Sequence, residues 1–547
     1  MDKTYFNRDI PFIRKSPFGI FVNQAGYKPL DSKVGVIPFK CDEFCISDES
    51  GRTVFTGKAI PFGYDTYSDD DIYLTNFSDF AECGKYRISA GGKISAVFEI
   101  SENVYSPVLY DLMKAFYYLR CGEGLSESCA GVYKHGECHT ALARLWEDRN
   151  VTLEVSGGWH DAGDYGRYVT AGACALSHLL YAYLLFPKLK EIKLNIPESE
   201  NEIPDILNEC RYELDWILKM QRPDGGVYHK ATTAMHAPFV MPEEDKAEMF
   251  VFPVSSMAVA DTSAICALAS RIYEPFDKSF SERLKAAAEL SYGWLKENPD
   301  FLGFRNPEGC NTGSYGEWED RSNRFWAAAE LYALTEDEKY HTDLKALLNE
   351  KFNPTGLGYG DVGGFGAMSY IFGAKKPDIT VKDRLSQAFL HEARRLKEVA
   401  DTCGYGTAMT EQDYHWGSNM DLMKHAMIFI IADIISGDSS YKNYTLRQVD
   451  YLLGLNALGI SYVTGTGEYR CNYPHLRPAH TDGIEECIPG MVSGGPNRTP
   501  NDPDAKILIP EGTPPMKCYA DDVGCYSLNE ITIYWNSPAV FVFAWLE

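Results

Sequence analysis

Along the first hundred residues apolar and polar positions alternate with a period of two. In Lys93-Ile-Ser-Ala-Val-Phe-Glu-Ile100 the side chains of Ile94, Ala96, Phe98 and Ile100 fall on one face, and Lys85-Tyr-Arg-Ile-Ser89 alternates in the same way. Such alternation marks half-buried strands. Gly and Asp-Ser clusters at residues 48–51, 68–71 and 91–92 punctuate it. The pattern predicts a small all-β sandwich over residues 17–102, behind an N-terminal extension of residues 1–16. The period then lengthens. Ser106-Pro107 reads as an N-cap followed by proline in the first helical turn, and Leu109, Leu112, Met113, Phe116 and Leu119 follow at amphipathic helical spacing. Comparable patterns recur near 168–187, 201–221, 255–274, 280–297, 322–335, 337–350, 362–373, 381–400, 418–436, 439–454 and 526–546, with almost no strand pattern between them. Residues 103–547 are therefore expected to be mainly α, a toroid of helical hairpins whose long loops build a cleft at one end. The longest of those loops runs from Asn472 to Pro515.

The strand spacing of the first domain favours the immunoglobulin type of sandwich. A length of 547 residues accommodates one such small domain beside a large one. With 77 acidic against 52 basic residues the formal charge is −25. A field of that sign repels phosphate backbones and anionic lipid, so neither nucleic acid nor a membrane surface is an expected partner. No run approaches the roughly 18 apolar residues of a membrane span. The N-terminus lacks the pattern of an export signal, which predicts a cytoplasmic protein, or a secreted one if a signal has been removed. Fifteen cysteines scattered singly predict buried thiols and no disulfide framework. The 35 tyrosines and 9 tryptophans suit sugar stacking and core packing equally.

The densest chemistry is Ser156-Gly-Gly-Trp-His-Asp-Ala-Gly-Asp-Tyr-Gly-Arg-Tyr168, where Asp161 and Asp164 stand three residues apart just before a helical pattern. An N-cap with a turn acid is the bland reading of such a pair. The flanking Trp159, His160 and Tyr165, with glycines that admit a ligand, favour a site. Far along the chain, Glu530 opens a strongly apolar segment, where desolvation would keep a carboxyl protonated. A lone Glu at a helix start is usually only a dipole complement. Two carboxyl sites from remote parts of the chain are what glycosidic cleavage needs, one to protonate the leaving oxygen and one to activate water. His475 and Arg477, in Tyr473-Pro-His-Leu-Arg477, could bond sugar hydroxyls, and Tyr414 and Trp416 offer stacking faces. Cys121, Cys138, His139 and His160 form a ligand set for a closed tetrahedral zinc site, although their spacing matches no zinc finger and Cys129 and His135 compete with them.

Taken together, these motifs resemble glycoside hydrolase family 9, the inverting cellulases. The resemblance is carried by Gly157 to Tyr168, by Tyr462-Val-Thr-Gly through Pro474-His-Leu-Arg477, by Trp416-Gly-Ser-Asn419, by Pro489-Gly490 with Gly494-Gly-Pro-Asn497, and by Tyr519 to Ser537. The strand-rich head resembles the immunoglobulin-like domain of one subgroup. The resemblance implies an (α/α)6 barrel, with Asp164 as general base, Asp161 assisting the water and Glu530 as general acid. The two carboxyls would stand roughly 6.5–9.5 Å apart for inversion. It marks His475, Arg477 and Asp521 at the active site. The candidate substrate contacts are Arg477, Trp416, Tyr414, Tyr526, Trp159 and Tyr165, although Trp159 and Tyr165 alone would more often be core side chains. The resemblance also implies that Cys121, Cys138, His139 and His160 hold a structural zinc. Two departures stand out: Leu476 replaces a histidine common in relatives, and Ser322 and Asn323 stand where relatives often carry Asp-Glu ligands for calcium, so that calcium elsewhere stays open. No organic cofactor is implied. The expected activity is inverting hydrolysis of β-1,4-glucosidic bonds in soluble β-glucans or cello-oligosaccharides by a monomer. The alternatives are an exo-acting β-glucosidase or β-glucosaminidase of the same family, or a non-catalytic glycan-binding protein.

Overall fold

The computed structural model describes residues 16–547, so the N-terminal extension lies, save its last residue, outside the described residues. Contacts divide the chain into two compact units, Met1–Ala115 with Glu392–Glu547, and Phe116–His391. In the first unit the alternating head forms β1 (Gly26–Tyr27), β2 (Val34–Ile37), β3 (Glu43–Asp48), β4 (Thr53–Asp65), β5 (Asp70–Asn76), β6 (Gly84–Ala90), β7 (Lys93–Ile94) and β8 (Phe98–Ile100). Their order is β1-β8-β6-β3-β4-β5-β2, with β7 paired to β6. Val22, Tyr27, Phe44, Ile46, Phe77, Ile88, Phe98 and Ile100 fill its core. The expected single strand over Lys93 to Ile100 is broken. The Ser95 hydroxyl accepts from Ile88 N and donates to Ala96 O, taking a place in the ladder and leaving Ile94 47% exposed. The sandwich is bonded to the rest of its unit: Asn23 Nδ2 donates to Asp450 Oδ1 at 3.0 Å, Met516 N to Tyr67 O at 3.0 Å and Lys517 Nζ to Asp70 Oδ1 at 2.8 Å.

The same unit contains the helices Ser418–Ser436, Lys442–Leu452 and Ile533–Leu546. The last is buried on every side, as an apolar helix without a polar face must be. One helix expected over 526–546 is in fact two, Tyr526–Asn529 and Ile533–Leu546. Glu530 breaks it with φ −57° and ψ 156°, held extended because Gly494 N donates to its carbonyl at 2.8 Å. Thr532 then caps the second helix by accepting from Trp535 N at 3.2 Å.

The second unit contains Val169–Leu185, Asp205–Met220, Ser256–Tyr273, Lys278–Glu297, Arg321–Thr335 and Glu338–Leu347, close to the periodic segments. The pattern at 362–373 is a short α-helix, Gly363–Met368, that continues as a π turn, Ser369–Gly373. Unexpected from the pattern is a five-stranded sheet of β9 (Ala143–Leu145), β10 (Thr152–Leu153), β11 (Arg167–Tyr168), β12 (Lys230–Thr233) and β13 (Met249–Val251), ordered β10-β9-β13-β12-β11. Strands of two to four residues are too short to display a period. This sheet matters to function, because β11 closes the Asp161–Asp164 loop and residues 234–248 connect β12 to β13. No described helix is long and apolar enough to cross a membrane.

Candidate active site

Asp161 and Asp164 sit in one tight loop. Asp161 N donates to Gly166 O at 2.9 Å, and Gly166 N donates to Asp164 Oδ2 at 3.0 Å. A Cβ on Gly166 would lie 2.9 Å from Asp164 Oδ2 and 2.7 Å from the Tyr168 hydroxyl, so only glycine lets the chain close here. Both carboxylates are buried, Asp161 at 1% and Asp164 at 7% exposure. Asp164 Oδ2 lies 3.3 Å from Nδ1 of His236, a half-exposed side chain. The Tyr315 hydroxyl donates to Asp161 Oδ2, and the Tyr315 ring packs 4.4 Å from Tyr168 and 4.9 Å from Tyr359. Burial pushes the Asp161 carboxyl well above its ordinary range; the Tyr315 hydrogen bond opposes this, and the neighbouring charges of Asp164 and Glu213 add to it. Tyr315 has a left-handed φ of 49°, a conformation that a bulky residue keeps only where its surroundings enforce it.

Sequence reasoning missed both Tyr315 and His236, which lie in loops without a motif. It also placed two aromatic residues wrongly. Trp159 is 1% exposed. Its indole N–H donates to Glu209 Oε1 at 2.8 Å and its ring packs 4.8 Å from Phe116, so it is a core side chain and no sugar platform. Its backbone N–H donates to Glu213 Oε2 at 2.7 Å, a carboxyl that burial pushes up to about 8. Tyr165, 5% exposed, donates its hydroxyl to Val240 O at 2.5 Å and packs on His160 and His139.

In the other unit the C-terminal motifs gather around Glu530. His475 and Glu530 form an isolated parallel bridge, with His475 N donating to Asn529 O at 3.2 Å. Between His475 Nδ1 and Val523 O the distance is 2.6 Å, which assigns the proton to Nδ1. Asp521, expected at the chemistry, accepts from Asn472 N at 2.9 Å, Tyr473 N at 3.0 Å and Cys471 Sγ at 3.2 Å. Its carboxylate thus anchors the segment that carries His475 and Arg477. Arg477 is 5% exposed. Trp416 is 39% exposed with its ring 5.4 Å from Tyr526, an open aromatic pair of the kind on which a pyranose stacks. Tyr414, read as a second stacking face, has no exposed surface and packs 6.0 Å from Tyr67.

Cys121, Cys138, His139 and His160 converge, all buried, with one ligand atom of each within 4.8 Å of the others. Cys129 and His135 are not in the group. Cys121 N donates to Gly158 O and His160 N to Leu119 O, each at 2.7 Å, so the cluster stitches the start of the Asp161 loop to residues 119–121. Burial opposes ionisation of the Cys121 thiol, yet Cys138, Arg167, His160 and His139 together hold it well below its ordinary range. His139 Nδ1 is buried without a hydrogen-bond partner. Two sulfurs and two imidazoles, one nitrogen of which is orphaned, fit a tetrahedral borderline-soft cation. All fifteen cysteines are free. At the place of the relatives' calcium ligands, Asn323 Nδ2 donates to Asp261 Oδ1 at 2.9 Å. Burial pushes the carboxyl of Asp261 well up and that of Glu317 to about 10.

Known proteins match this arrangement. The family described as glycosyl hydrolase family 9 matches residues 105–543, and the cellulase N-terminal ig-like domain matches residues 16–95. A cellodextrinase of Butyrivibrio fibrisolvens is 45% identical over 539 residues, covering 95% of this chain and 98% of the relative. The solved structure of AaCel9A in complex with cellobiose-like isofagomine is 35% identical with a TM-score of 0.91, covering 96% and 99% of the two chains. A Zn-binding triple mutant of the family 9 endoglucanase J30 is 33% identical with a TM-score of 0.90, covering 95% and 99%.

Proposed function

Because this chain belongs to glycosyl hydrolase family 9, we propose that Asp164 is its general base, Asp161 assists the attacking water and Glu530 is its general acid in an inverting cleavage of short cello-oligosaccharides. The enzyme class and fold need no proposal. The protein is a glycoside hydrolase of β-1,4-glucans, a mainly α (α/α)6 barrel domain with an N-terminal immunoglobulin-like sandwich. That membership sets aside the non-catalytic reading. The observation that carries the assignment of roles is the pairing of a buried, Tyr315-bonded Asp161 with an Asp164 that accepts from Gly166 N and faces the half-exposed His236. The preference for short chains is supported by the cellodextrinase relative, similar over nearly its whole length. We also propose a structural zinc at Cys121, Cys138, His139 and His160; Ser322 and Asn323, standing in place of an acidic pair, weaken the case for calcium at their own position. When bound, that ion would supply rigidity and no Lewis acidity, since four protein ligands leave no open position.

Asp164→Ala and Glu530→Gln should each lower turnover of cellotetraose by about 10²–10⁴-fold. Nuclear magnetic resonance of the fresh product should show the α-anomer. Full activity in both variants, or a β-anomer as first product, would remove the roles assigned here. Metal analysis of undenatured protein should find one zinc per chain.

A further inference from the structure

Three contacts of the connection between β12 and β13, residues 234–248, lead toward the base and the metal cluster. His236 Nδ1 lies 3.3 Å from Asp164 Oδ2. Val240 O accepts the Tyr165 hydroxyl at 2.5 Å. Asp245 Oδ2 lies 3.2 Å from His139 Nε2, with side-chain exposures of only 4% and 1%. Two of these three contacts lead to the Cys121, Cys138, His139 and His160 cluster: Asp245 bonds one of its imidazoles, and the Tyr165 ring packs 5.4 Å from His139 and 4.9 Å from His160. The third leads to the base. Asp245 also accepts from Ala247 N through Oδ1 at 3.1 Å, so one carboxylate fixes both the imidazole and the turn into β13. His139 has a left-handed φ of 50°, a strained choice for a residue with a Cβ. With Nε2 engaged by Asp245, the buried ring nitrogen without a partner is Nδ1.

We propose that Asp245 is a positioning residue through which zinc in the cluster orders the 234–248 connection and thereby presents His236 to Asp164. The proposal rests on the reading of Asp164 as the base. A carboxylate that accepts from the far nitrogen of a ligand imidazole fixes its tautomer and ring orientation, and its loss weakens the metal by about 10–100-fold. Here the same carboxylate is part of a long connection, fifteen residues between two short strands, so the ion and the connection stabilise each other. Linkage makes the effect reciprocal: what zinc does for the connection, the connection does for zinc.

The test measures three things for wild type, Asp245→Ala and Asp245→Asn. These are zinc affinity by competition with a chromophoric chelator, hydrogen exchange of peptides across 234–248 with and without zinc, and kcat and KM for cellotetraose. Asp245→Ala should lose about 10–100-fold in zinc affinity. Exchange across 234–248 should rise in Asp245→Ala and in zinc-stripped wild type, and kcat should fall more than KM changes. Asp245→Asn keeps an acceptor oxygen for Nε2–H and should restore most of the affinity and protection. An alanine variant that binds zinc as tightly as wild type overturns the proposal. So does a wild type that takes up no zinc, or whose exchange over 234–248 ignores zinc. Should Asp245→Ala fail to fold, the wild-type comparison with and without zinc decides alone. Affinity and exchange are read without substrate, so they stand or fall separately from the assignment of Asp164.

Discussion

Asp161 is buried at 1% exposure and owes its tendency to ionise to a single phenol, the Tyr315 hydroxyl. A hydrogen bond to a charged group is worth about 1.5–3 kcal/mol, or about one to two pH units. Tyr315→Phe removes a donor to the carboxylate, so the Asp161 pKa rises further and the acidic limb of kcat/KM should move to higher pH. A limb that stays in place would show that the ionisation of Asp161 does not govern the rate. Legibility differs sharply at this scale. Asp161 and Asp164 stood out because motif and chemistry coincide in a few residues; Cys121, Cys138, His139 and His160 were pointed to only by the family resemblance, since their spacing matches no metal motif. Tyr315 and His236 were not legible, because each acts as a single side chain delivered from a loop. Trp159, Tyr165 and Tyr414 were misread because composition shows that an aromatic ring is present and not which side of the backbone faces water.

Among the elements, the break at Glu530 has the greatest consequence. An uninterrupted helix over 526–546 would have placed Glu530 in a helical turn; the extended residue instead pairs with His475 and Ser493 accepts the following strand-like step. Thr532 enforces the break as the cap of Ile533–Leu546. Thr532→Ala should cost about 1 kcal/mol of stability, measured by urea unfolding, and should lower kcat without a matching change in KM. No loss in either would mean that the bridge partners alone hold Glu530. Helices such as Ser256–Tyr273 and Ser418–Ser436 were legible to within a residue or two, because their apolar spacing runs over many turns. The five short strands of the second unit were not, since two to four residues have no measurable period.

For the whole molecule, buried carboxyls and net charge favour acidic pH, whereas burial of histidines such as His229, pushed down to about 3, favours neutral pH and offsets part of the effect. Burial pushes Asp111 and Asp433 to about 6, Asp450 to about 7 and Glu213 to about 8. The folded chain therefore keeps protons that the unfolded chain releases near pH 4. Stability from these groups is complete below that pH and is lost as pH rises from about 4 to 8. The formal charge of −25 adds self-repulsion at the alkaline end. With the carboxyl effect extending to higher pH than the histidine effect, Tm should be higher at pH 6.5 than at pH 8, and added salt should raise it more at pH 8; a Tm that increases with pH across this window would contradict the account. By itself the sequence determined the two kinds of domain, the long helices and the residues able to carry the chemistry, because period and motif are properties of neighbours along the chain. Only the tertiary structure decided that Tyr315 attends Asp161, that His236 attends Asp164, that Asp521 anchors a loop and that three aromatic rings are buried. Those are contacts between residues far apart in sequence, set by packing and by the hydrogen-bond needs of buried groups, and no local pattern encodes them.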